Sequence, residues 1–287
     1  MAEQQVRSLF GGGAEFWNSP ATRPWAEQHE RQDRALAGLA KAALDLAAPR
    51  PGERALDIGC GAGTTVLELA ARVGPSGHVL GADIAAQSIA RARERIAAAG
   101  LRHAEALCAD VSTHSFAPGS FDLVFSRLGV MFFDDPTTAF ANVHRAMKPT
   151  ARLTLAVFRS AGENPWPNAP LAAVRHLLPP MPPLGPNEPG MFSWGDPTRV
   201  RRIIEDAGLH EVSLTPVDLE YQLAGAGGAA EAADFALVFG PLTRILPGLP
   251  ETQHEAVRAA LESFFQGYVT PQGVALPAAF WVVQAHA

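Results

Sequence analysis

Residues 53–65 read Glu53-Arg-Ala-Leu-Asp-Ile-Gly-Cys-Gly-Ala-Gly-Thr-Thr65. Leu56, Ile58 and their neighbours form a short apolar run that predicts a buried strand, and Gly59, Gly61 and Gly63 follow at every second position. Val66, Leu67, Leu69 and Ala70 supply an apolar stripe, and Thr65 and Glu68 have capping-box spacing, so a helix is expected from Thr64 or Thr65. Strand, glycine turn and helix open a nucleotide-binding α/β unit. Glycine lets such a turn close tightly and lets a ligand lie against backbone where a Cβ would collide. A tight turn with no ligand is the bland alternative.

The same alternation runs outward on both sides. Ala26 to Ala48 shows Leu36, Leu39, Ala43 and Leu46 on one helical face, ended by Pro49, Pro51 and Gly52. Downstream, strands are expected at His78–Ala82, Ala104–Ala109, Phe121–Ser126 and Arg152–Phe158, with helices between them. The helix from about Ala86 ends at Gly100, a left-handed cap, and Pro136 opens the helix that carries Phe140, Val143 and Met147. Strict β-α alternation to about residue 160 means a parallel sheet with helices on both faces. Nine prolines then fall between Pro165 and Pro189, with Trp166, Met181, Met191, Phe192 and Trp194 in or just beyond the stretch. So many large apolar residues predict a packed irregular cover rather than a free linker. Asp196-Pro197 starts another helix, ended by Gly208. Val212–Tyr221 reads as a sixth strand, edge or bulged because of Pro216, and Ala279–Gln284 as a seventh. Two helices, Ala229–Gly240 and Pro250–Gly267, precede that last strand.

The ligand is narrowed by what the glycine turn lacks. The position where G-x-G-x-x-G needs its third glycine holds Thr64, and no Gly-Lys-Ser/Thr phosphate loop is present. Asp57 lies two residues before Gly59; a carboxylate there repels a pyrophosphate and suits a ligand with positive charge. S-adenosylmethionine carries an ammonium and a sulfonium and no phosphate. Here the sequence resembles the class I S-adenosylmethionine-dependent methyltransferases, in particular the quinone-biosynthesis-like and small-molecule group. The first motif of that superfamily is an acid followed by G-x-G-x-G. Asp57, Gly59, Gly61, Gly63, Asp83, Asp110 and Ser126 carry the resemblance in order through residues 50–160. Thr150-Ala151 stand where the family usually has Gly-Gly.

The resemblance implies a doubly wound, seven-stranded, mostly parallel Rossmann-like sheet with the last strand antiparallel, and helical and Pro-rich cover insertions. The whole chain is expected to be one domain: residues 30–160, completed by 195–222 and 277–286, bind the cofactor, and 1–29, 161–194 and 223–276 cover the acceptor. Asp83 comes 20 residues after Gly63, close to the spacing at which such folds place a carboxylate on a ribose diol, and doubles as a helix-capping candidate. Asp110 is expected at the adenine amino group with the Val111 N–H at the ring, against the alternative of a plain loop acid. Cys60, Ile84 and Ser126 complete the expected cofactor contacts.

Composition excludes other classes. The chain of 287 residues has net charge −6 without long runs of either sign, which gives no nucleic-acid footprint. Two cysteines, Cys60 and Cys108, make neither a disulfide framework nor a metal cluster and read as inert buried thiols. The nine histidines are scattered, so no metal is expected. No stretch offers about 20 apolar residues in a row, and Met1-Ala-Glu-Gln-Gln lacks a signal pattern, so a cytoplasmic protein, monomer or homodimer, is expected. A small organic acceptor is the expected partner. His29 is the candidate base, against the alternative of a surface or capping histidine. Arg127 is a candidate catalytic residue and a holder for an acidic acceptor, against simple pairing with Asp134 or Asp135. Trp17, Trp25, Arg127 and Met131 are expected to touch the acceptor, under a roof formed by the three cover segments above the loop from Ser126 to Phe133. Two readings stay open beside methyl transfer: S-adenosylmethionine binding without transfer, and an NAD-dependent oxidoreductase, which the broken fingerprint disfavours.

Overall fold

The computed structural model describes residues 13–180 and 188–287. Gly11, Gly12 and Met181, with the prolines at 182, 183 and 186, lie outside the described residues.

One sheet holds β1 (Arg54–Ile58), β2 (His78–Asp83), β3 (Ala104–Cys108), β4 (Phe121–Arg127), β5 (Met147–Phe158), β6 (His210–Ala224), β7 (Val269–Thr270) and β8 (Gly273–His286). Their order is β3-β2-β1-β4-β5-β8-β6, with β7 paired to β8. β1 to β5 are parallel, and β8 runs antiparallel to both β5 and β6. The sheet thus has eight strands rather than seven. The extra β7 is one short arm of a hairpin closed by Thr270, whose hydroxyl donates to the Gly273 carbonyl. Two residues are too few to leave a periodic signature. β6 is the edge strand that Pro216 implies, but its irregularities fall at its two ends, not at the proline. β5 begins at Met147, so the Thr150-Ala151 departure falls inside a strand.

The helices, in chain order, are α1 (Ala14–Trp17), α2 (Arg23–Glu27), α3 (His29–Ala35), α4 (Ala37–Ala47), α5 (Thr64–Val73), α6 (Ala86–Ala98), α7 (Pro136–Ala146), α8 (Pro165–Ala173), α9 (Pro197–Asp206), α10 (Gly228–Phe239) and α11 (Glu251–Phe265). The expected helix from Ala26 to Ala48 is broken at Gln28 and Leu36, where φ opens to −111° and −105°. Asp135 and Asp196 cap α7 and α9 by accepting from the Thr138 and Thr198 N–H groups, with proline at the first position of each. The Thr65–Glu68 capping box does not form. Gly63, at φ +84°, ends the turn, and the Thr65 hydroxyl donates instead to Asp57 at 2.5 Å.

The described parts of the Pro-rich stretch pack on the core. Trp166 is 1 % exposed and stacks on Tyr221 at 5.5 Å, Trp194 packs against Phe140 and Phe192 against Phe158. Strand order reverses between β1 and β4, so the turn after β1 and the loop after β4 diverge over a crevice at the carboxyl ends of the strands, where open α/β sheets bind ligands.

Candidate functional site

The crevice is a cavity of about 530 Å³. Its first half is backbone. The glycine turn folds back on β2, with the Gly59 and Cys60 N–H groups donating to the Ala82 carbonyl at 2.8 and 3.2 Å. Gly59 (φ +67°) and Gly129 touch: a Cβ on Gly59 would stand 2.6 Å from the Gly129 Cα. Gly61 (φ +54°) has nothing within 4 Å of its Cβ position and borders the cavity. Leu128, the residue between Arg127 and Gly129, takes φ +65° and lines the cavity. A bulky residue held in that region is backbone strain at a loop the site uses.

Asp83 ends β2 under the turn. Its Oδ2 accepts the Gly61 N–H and its Oδ1 the Ala85 N–H, both at 2.8 Å. The carboxylate keeps acceptor capacity for a ligand. Burial raises its pKa against these bonds. Asp110 lines the cavity with Oδ1 taken by the Ser112 N–H and hydroxyl, and Ile84 and Val111 line it beside the two acids. Cys60 also lines it, its thiol pushed well up by burial. Cys108, by contrast, is exposed, which corrects the expectation of two buried thiols; it ends a five-residue edge strand.

Three expected cofactor residues stand behind the cavity wall. Gly63 packs against α6, where a Cβ would meet Ala92 at 3.0 Å. Ser126 is fully buried and donates to the Ile58 carbonyl at 2.7 Å, tying β4 to β1. Asp57 is fully buried, with Oδ2 bonded to Thr65 and Oδ1 without a partner among the described residues. Burial pushes the Asp57 pKa up to about 7, opposed by the Thr65 bond and the Arg127 charge.

That shift predicts a pH effect. An unfolded Asp titrates near 4. Below about pH 4 both states hold the proton and Asp57 costs nothing. As pH rises to about 7 the unfolded chain loses its proton first, so the folded state is destabilised by up to about 4 kcal/mol. Asp57→Asn keeps an oxygen for Thr65 and cannot ionise. Thermal melts are expected to show it more stable than the parent chain at pH 8 and equal to it near pH 4. A constant difference across that range would refute the shift.

The second half of the cavity is aromatic. Trp17 meets Trp25 at 5.5 Å and Phe132 at 5.1 Å, and Trp25 meets Phe239 at 5.5 Å. All three cover segments reach it: Trp17, Trp25 and His29 from the N-terminal helices, Met191 from the Pro-rich stretch and Phe239 from α10. Trp166, Phe192 and Trp194 do not line it; they join the cover to the core. Met131 lines it, and its carbonyl ties down the Pro-rich stretch through the Gly190 N–H and the Ser193 hydroxyl.

His29 is buried, so it is not a surface histidine. Its Nδ1 is 3.1 Å from the Ala26 carbonyl, which only accepts. Nδ1 therefore carries the hydrogen and Nε2 is left able to take a proton. Arg127 lies 3.6 Å from Asp33 on α3 rather than pairing with Asp134 or Asp135. Asp33 and Tyr221 border the cavity and carried no sequence signal, whereas Leu128 and Gly129, which also border it, lie in the loop from Ser126 to Phe133 over which the cover was expected.

The residues present fit S-adenosylmethionine. Gly61 leaves a bare backbone cradle, Asp83 presents its carboxylate at the cavity wall, and the two acids, one lining the turn and one behind it, favour a cation and oppose a phosphate. Sheet order and site together define the class I S-adenosylmethionine-dependent methyltransferase fold.

Comparison with known proteins agrees. Residues 55–150 match the family described as a methyltransferase domain. Aklanonic acid methyltransferase of Streptomyces sp. (strain C5) is 37% identical over 142 residues, covering 47% of this chain and 64% of that protein. Nocamycin O-methyltransferase of Saccharothrix syringae is 36% identical over 117 residues, covering 41% of this chain and 42% of that one. The chain thus spans less than two thirds of these relatives. A SAM-dependent methyltransferase from Aquifex aeolicus superposes with TM-score 0.54 at 15% identity, over 92% of this chain and 98% of that chain. The match to the methyltransferase-domain family spans residues 55–150 of the 287.

Proposed function

We propose that the protein transfers a methyl group from S-adenosylmethionine to a small organic acceptor by in-line displacement. The observation that carries this is Asp83 bonded to the Gly61 N–H beneath an open glycine surface. In this reading Asp83 takes the ribose hydroxyls, Asp110 and the Val111 N–H take the adenine, and Asp57 lends negative potential from behind the turn. Bound S-adenosylmethionine supplies an electrophilic methyl on a sulfonium whose leaving thioether needs no proton. The chain's own work is alignment and the exclusion of water; orientation alone can supply about 7–11 kcal/mol. The aromatic half positions the acceptor, and His29 Nε2 receives its proton where the nucleophile is not already ionised. The relatives' names include an O-methyltransferase and an acid as acceptor, which favours oxygen as the methylated atom here.

The whole chain acts as one domain in this reading, 30–160 with 195–222 and 277–286 holding the cofactor and the remaining segments roofing the acceptor, in the cytoplasm, without nucleic acid. Among the described residues no helix is long and apolar enough to cross a membrane, and no group of three His, Cys, Asp or Glu is placed to hold a metal. Calorimetry is expected to show micromolar binding of S-adenosylmethionine and S-adenosylhomocysteine and none of NAD or ATP. Binding of NAD, or failure of both adenosyl compounds, would overturn the reading. Native mass spectrometry of protein purified with its endogenous ligands is expected to reveal the cofactor.

A further inference from the structure

Two residues that line the aromatic half of the cavity, Arg127 and Trp25, hold buried donors without partners among the described residues. Arg127, 11 % exposed along its side chain, leaves the end of β4 there. Its Nη1 is buried and has no hydrogen-bond partner among the described residues, and the same holds for Nε1 of Trp25. An indole N–H and a guanidinium can only donate. Tyr221 borders the same space, and burial raises its pKa, so its hydroxyl stays protonated.

Charge points the same way. Asp33 takes the Thr64 hydroxyl on both oxygens at 2.6 Å. It also faces two guanidiniums, Arg95 at 3.4 Å and Arg127 at 3.6 Å. Asp33 is thus shared between two guanidiniums, and the other acid whose charge acts on Arg127, Asp57, lies behind the glycine turn. A buried guanidinium short of acceptors is unfavourable, and an anion brought by a ligand relieves it.

A carboxylate could come from the amino-acid part of the cofactor or from the acceptor. The sheet favours the acceptor. The cofactor half lies over β1, β2 and β3, whereas Tyr221 comes from β6, at the opposite edge. Arg127 on β4 stands between them, close enough that its charge lowers the Tyr221 pKa against burial. Around it, Trp17, Trp25, Phe132 and Phe239 form a continuous wall of edge-to-face rings.

We infer, resting on the methyl-transfer reading, that the acceptor is a planar aromatic or conjugated compound bound as an anion, with its charged oxygen on Arg127 and its ring against Trp17 and Trp25. The test uses protein saturated with S-adenosylhomocysteine and two matched probes, 2-naphthoate and neutral 2-naphthamide, titrated by calorimetry. The parent chain is expected to bind the acid at least tenfold more tightly, a comparison that needs no variant. Arg127→Met is expected to abolish the preference and Arg127→Lys to keep most of it, with S-adenosylhomocysteine affinity within twofold throughout. Equal affinity for the two probes, no binding of the acid, or a preference that survives Arg127→Met overturns the inference. So does a variant that loses tenfold in S-adenosylhomocysteine affinity but binds 5′-methylthioadenosine normally, because the carboxylate on Arg127 is then the cofactor's. A parent chain that binds no S-adenosylhomocysteine at all instead removes the methyl-transfer reading beneath it.

Discussion

Gly59→Ala is expected to abolish S-adenosylmethionine binding and to lower the melting temperature strongly, whereas Gly61→Ala is expected to abolish binding with a smaller loss of stability. Both positions have positive φ, so alanine at either is disfavoured by about 1–2 kcal/mol. They differ in what the new methyl meets. At Gly59 it would lie 2.6 Å from the Gly129 Cα, a backbone atom that cannot turn aside. Overpacking of this kind costs a further ~1–3 kcal/mol. Together these correspond to a fall of roughly 5–15 °C for a chain of this size. At Gly61 the methyl enters the cavity and meets nothing until a ligand arrives. Gly129→Ala separates the terms, because residue 129 has an ordinary φ of −79° and only its contacts with Gly59, Ile58 and the Ser126 hydroxyl change. Scanning fluorimetry with calorimetry measures both quantities. Normal affinity in Gly61→Ala would show that no ligand lies on the turn.

Asp83→Ala is expected to weaken S-adenosylhomocysteine binding by about 100-fold or more. Hydrogen bonds to a charged group contribute ~1.5–3 kcal/mol each, and a ribose diol makes two. Removal of the carboxylate also frees the N–H groups of Gly61 and Ala85, which shape the turn itself. Asp83→Asn is expected to do nearly as badly. An amide presents one oxygen and one donor, and here both inner positions face donors, so one backbone N–H must meet an NH2. Calorimetry on both variants decides the point, and affinity retained by Asp83→Ala would remove the ribose assignment.

The α/β core was legible because buried strands and amphipathic helices print their periods on adjacent residues. The same locality explains what was not. Asp57, Gly63 and Ser126 belong to the expected motif, but whether a residue faces the ligand or backs the wall depends on which way its side chain leaves the backbone. Thr65 has capping spacing with Glu68, yet its hydroxyl goes to Asp57, a partner from the strand before it. Asp33 and Tyr221 reach the cavity from α3 and from a strand almost a hundred residues beyond Arg127, distances at which spacing carries no information. The tryptophans divided for a related reason: Trp17 and Trp25 line the cavity and Trp166 and Trp194 do not, although all four are large apolar residues in cover segments.

The contact between Gly59 and Gly129 bears on how such a protein can be re-targeted. Two bare backbones in touch lock the cradle of one half of the cavity to the loop that begins the other, so neither position has room to vary. The aromatic wall carries no such backbone-to-backbone contact: it is assembled largely from three segments outside the sheet, held by ring packing and by hydrogen bonds such as those from Gly190 and Ser193 to the Met131 carbonyl and from Asn18 to the Ile84 carbonyl. A library that leaves 59–63 and 126–130 untouched and diversifies positions 17, 25, 191 and 239 therefore explores new acceptors without disturbing the methyl donor's seat.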